Sequence, residues 1–109
     1  MDTPTLADVN IRGVAQRLIE KRLRRNSENL KQLQIELTLL DEQLAALNDD
    51  ANDKEMRSLV SETPLALHEF RDAQKHVDAL QEQRNYLVRA IAEQKQNQDD
   101  LLDKLGNKS

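Results

Sequence analysis

Leu30, Leu33, Leu37, Leu40, Leu44 and Leu47 alternate by three and four residues. An apolar stripe with a 3.5-residue period fits one arrangement well, a long helix packed along another helix. Upstream, Ala15, Ile19, Leu23 and Asn26 extend the stripe with one stutter, which relaxes the supercoil locally. No proline interrupts Leu6 to Asn48, and Gly13 is the only glycine there. In 109 residues there are two glycines, two prolines, 2% aromatics and no cysteine. All-β folds need frequent turn residues and β-branched strands, and phosphate-cradling loops need glycine, so both classes are excluded. The expected fold is all-α.

The stripe falters at Asn48-Asp49-Asp50-Ala51-Asn52-Asp53, residues that compete for backbone hydrogen bonds outside helices. Residues 53–60 allow a short helical segment, and Ser61-Glu62-Thr63-Pro64 then marks a helix start, with Thr63 as N-cap and Pro64 in the first turn. From Leu65 the pattern resumes through Phe70, Ala73, Val77, Leu80, Leu87, Ile91, Leu101 and Leu105, and Gly106-Asn107 supplies a stop. The sequence therefore predicts a single antiparallel coiled-coil hairpin over 1–109: helix 6–48, acidic turn 49–63 and helix 64–105. Each helix of about 40 residues would be about 60 Å long. Pairing positions whose numbers add to 110 gives layers such as Leu44–Ala66, Leu40–Phe70, Leu33–Val77, Leu30–Leu80 and Leu23–Leu87. In that register Asn26 faces Arg84 and Gln16 faces Gln94, polar core layers that would set the register.

A lone seam is marginal for a chain of this size. Ile35, Leu39 and Ala46 lie off the seam on the first helix, Ala79 and Tyr86 on the second. The N-terminal stretch is apolar around much of its circumference (Leu6, Val9, Ile11, Val14, Leu18). The expectation is a homodimer forming a four-helix arrangement, with Ile35, Leu39 and Tyr86 among the partner-binding residues. Scattered surface apolars are the plain alternative.

Net charge is −4, and five acidic against two basic residues fall within 49–63. So small an excess does not demand nucleic acid as partner. Arg17, Lys21, Arg22, Arg24 and Arg25 form a basic cluster without interleaved aromatics, better suited to pairing with carboxylates than to holding a nucleic acid. His68, Asp72 and His76 share a helix face at metal-ligand spacing, but lack further ligands and read as solvated surface. Ser61 and Thr63 are explained by capping, with no His–carboxylate arrangement beside them. No catalytic residue, metal, cofactor, small-molecule substrate or membrane span is expected, and zero cysteines fit the cytoplasm.

The acidic turn, with Asp49, Asp50, Asp53 and Glu55, has a local explanation, since turns favour Asn and Asp. Its layout also resembles the coiled-coil hairpin of secondary-channel RNA polymerase regulators of the Gre and DksA type, which present acidic residues at the turn. The likeness is one of shape and covers residues 6–105. It implies a tip that enters a cationic channel. The residues themselves point first to an adaptor or scaffold acting through Ile35, Leu39 and Tyr86, with Asp49, Asp50 and Asp53 as the alternative contact set.

Overall fold

The computed structural model describes residues 6–106, with side chains described from Ile11 onward. Two α-helices, α1 (Leu6–Ser61) and α2 (Pro64–Gly106), pack as a hairpin. The expected turn at 49–63 is thus corrected. Residues 49–61 continue α1, and the short helical segment near 53–60 is its last stretch. Poor intrinsic propensity costs only tenths of a kcal/mol per residue, which packing readily overrides. The partly or fully buried positions run on past Leu47 as Ala51, Lys54 and Ser58, without a break in the three–four alternation. Asp50 pairs with Lys54 and Asp53 with Arg57, both at 3.1 Å and four residues apart, so the acidic run also supplies helix-stabilising pairs.

The connection is two residues, Glu62 and Thr63. Glu62 adopts φ 54, and its N–H donates to the Ser58 carbonyl at 3.1 Å, a left-handed C-terminal cap closing α1. Thr63 caps α2 as its sequence context predicts. Its hydroxyl accepts from the Ala66 N–H at 3.2 Å, and Pro64 occupies the first helical position, where a missing N–H costs nothing.

Moving the turn moves the register. Asn26 donates to Gln98, Arg84 reaches Asp41, and Ala51 clusters with Ala73, so facing residues have numbers adding to about 124 rather than 110. Asn26 does not face Arg84, nor Gln16 Gln94, and Leu44 lies level with Leu80 instead of Ala66. The shift equals two heptads. A whole-heptad shift keeps every seam residue on the seam, so the stripe itself cannot report it.

The chain divides into two compact units, Met1–Gln32 with Ile91–Ser109, and Leu33–Ala90. In the second, Leu44, Ala51, Ala73 and Val77 form an apolar cluster flanked by Leu47 and Leu80. Leu40 and Leu87 are buried in the same unit, and Arg84 on the seam reaches Asp41 at 2.6 Å. In the first unit the buried seam residues are Ile91 and, at 7% exposure, Asn26.

Candidate protein-interaction surface

The seam uses one side of each helix, so the chemistry left on the surface is what α1 and α2 carry elsewhere. Asp49, Asp50 and Asp53 do not form a tip. They lie on α1 well before the turn, and two of the three are engaged by Lys54 and Arg57. The turn end is mainly apolar. Leu59, Val60 and Leu65 are exposed, Val60 at 84%, and Met56 with Val60 and Ala66 lines a shallow concavity of about 430 Å³. Exposed apolar groups gathered in one place mark contact sites more often than single ones do. Sequence reasoning missed this patch because the run 53–60 was assigned to the turn. Counting the stripe on through Ala51, Lys54 and Ser58 would have put Met56 and Val60 off the seam.

On α1 the off-seam expectation has a specific form. Ile35 and Leu39 are each 54% exposed, on the side of the helix opposite the seam. Val14 with Leu18, and Met56 with Val60, occupy the same heptad positions and are also exposed. The three pairs are spaced 21 residues apart, three heptads, so each reappears on the outward side of its own stretch of α1. Ile11, Val14, Ala15 and Leu18 line an almost wholly apolar surface depression. Leu6 and Val9 fall outside the described side chains. Tyr86 is exposed on α2, at a position equivalent to Leu65 in the heptad.

Among the polar residues singled out, Asn26 donates from Nδ2 to the Gln94 carbonyl at 2.9 Å and to Gln98 Oε1 at 3.4 Å. A main-chain carbonyl is the shorter partner, and no side-chain pattern advertises it. Gln16 instead bonds Glu20 on its own helix at 3.3 Å. Arg22 and Arg25 line a groove of about 330 Å³ with Asn26, Asn97, Asp100 and Lys104, three cationic groups against one carboxylate. Among the described residues, no carboxylate lies within 4.0 Å of the charged ends of Arg17, Lys21, Arg22, Arg24 or Arg25. His68 Nε2 is 3.3 Å from Asp72 on an exposed face, and no group of three or more potential ligands converges among the described residues. No helix among them is long and apolar enough to cross a membrane.

Comparison with protein-family models, with curated proteins and with solved structures found no match.

Proposed function

We propose that this chain is a non-enzymatic protein–protein interaction module, a cytoplasmic adaptor or scaffold whose coiled-coil hairpin self-associates into a four-helix dimer. One observation carries the reading. Among the described residues the hairpin buries only seven apolar side chains, none of them completely, while Ile35, Leu39 and their heptad equivalents stay exposed on α1. A single seam of this kind is marginal for independent stability, and the exposed apolar pairs on the same helix give the missing burial a place to occur. The acidic-tip alternative is the less favoured reading, because Asp49, Asp50 and Asp53 lie along α1 before the turn.

Sedimentation equilibrium tests the reading. The wild-type chain should run at twice its 12.5 kDa mass in the micromolar range. Replacing Ile35 and Leu39 by Glu should return it to the monomer mass with helicity retained, because both side chains lie off the hairpin seam. A wild-type chain that stays monomeric throughout would overturn self-association.

A further inference from the structure

We propose that two copies pack α1 against α1 antiparallel, through the face opposite the seam, about a two-fold axis between Ile35 and Leu39. The partner is a second copy of this chain. This deepens the self-association reading above and rests on it.

The outward heptad positions of α1 are palindromic in chemistry about residue 37. Folded back on itself there, the face pairs Val14 with Val60, Leu18 with Met56, and Ile35 with Leu39. All six side chains are exposed in the single chain. Between the apolar layers, Lys21 meets Asp53, and Arg25, which in the single chain borders the groove against α2, swings out to meet Asp49. The basic cluster and the acidic run, unexplained within one chain, thereby become each other's partners. Among the described residues Lys21, Arg25 and Asp49 have no salt-bridge partner, and Asp53 has only an exposed pair with Arg57, which is cheap to exchange. The two remaining layers, Glu28 with Ala46 and Gln32 with Glu42, bring no like charges together.

Competing arrangements fail on the same residues. A parallel, in-register pair would stack Lys21, Arg25, Glu28, Glu42, Asp49 and Asp53 each on its own copy, giving six like-charge layers. Sliding the antiparallel pair by one heptad sets Val14 against Asp53, Leu18 against Asp49 and Leu39 against Glu28, three carboxylates on apolar groups where the favoured register has only Glu28 on Ala46. Sliding it the other way sets Val60 against Lys21 and Met56 against Arg25. A two-fold axis also makes each contact occur twice, as an isologous interface requires.

The chain exposes 8636 Å², against about 6,200 Å² expected for a folded monomer of 12.5 kDa. A standard interface would cover roughly 800 Å² of that surface per partner.

Charge reversal and rescue test the register in the full-length chain. Lys21→Asp with Arg25→Asp should weaken dimerisation at least about thirtyfold, because four attractive pairs become repulsive across the axis. Asp49→Lys with Asp53→Lys should do the same. All four substitutions in one chain should restore dimerisation to near the wild-type value, since every layer is again complementary. In the cysteine-free background, Thr38→Cys, beside the axis, should form an intermolecular disulfide readily, whereas Glu28→Cys should not. Circular dichroism establishes that each variant remains helical. A dimer that ignores both double reversals, or whose quadruple variant stays monomeric while helical, would overturn this register and leave self-association standing. A monomeric wild type would remove both.

Discussion

The unit Leu33–Ala90 and the unit formed by the two helix ends share one seam period but fill it differently. The first uses Leu44, Leu47, Ala51, Ala73, Val77 and Leu80, a cluster that gains from burial and is indifferent to sliding by a heptad. The second places Asn26 on its seam and ties it to the Gln94 carbonyl and Gln98. A buried amide gains little net free energy, yet it loses heavily when displaced, because its polar atoms then lack partners. Burial thus dominates in Leu33–Ala90, where the exposed Arg84–Asp41 pair adds one polar mark of register, while in the other unit the buried Asn26 amide carries the alignment. Amphipathic helices that must find one register benefit from having both.

The largest test of that contrast is Leu44→Ala. Leu44 is 8% exposed within the apolar cluster, and its truncation should lower urea stability by about 2–3 kcal/mol at matched protein concentration. A loss well below 1 kcal/mol would mean that the cluster is not what holds Leu33–Ala90 together.

Asn26 should behave in the opposite sense. Asn26→Ala is expected to cost about 1 kcal/mol, but Asn26→Leu should equal or exceed wild type while relaxing the register. Extra peak sets for residues 91–106 in an amide NMR spectrum would report that slippage. A single sharp set would show that alignment is specified elsewhere.

Glu62→Gly sharpens the comparison at the turn. Relieving a non-glycine residue at φ 54 should raise stability by about 0.5–1 kcal/mol, readable as a higher melting temperature. Unchanged or lower stability would mean that the short link contributes through the Glu62 side chain instead.

The smallest effect belongs to Asp49, Asp50 and Asp53 changed together to Asn in the Ile35→Glu, Leu39→Glu background, where the proposed pairs between chains do not form. Two exposed pairs are lost, to Lys54 and Arg57, so helix stability should fall by about 0.5 kcal/mol at low salt, and the difference should vanish in molar salt. Stability that rises on substitution would mean that carboxylate repulsion outweighs the pairs.

The sequence by itself determined that there are two long helices, the seam they share and the cap at Thr63. The three–four spacing of Leu30 to Leu47 leaves no other economical way to bury those side chains, and Thr63-Pro64 announces the start of α2 through local chemistry alone. It also marked Ile35 and Leu39 as off-seam, since heptad position follows from counting. Where α1 ends was decided only by tertiary packing. Asp49 to Asp53 look like a turn when judged by propensity, but Ala51 at 3% exposure packs with Ala73, and that burial outweighs the tenths of a kcal/mol that disfavour helix there. The register followed from the same decision. A shift of two heptads leaves every apolar residue on the seam, so no count of apolar positions can distinguish the two alignments. They are separated by the length of the connection and by a side-chain bond from Asn26 to a main-chain carbonyl, and a carbonyl is the one acceptor that every residue carries alike.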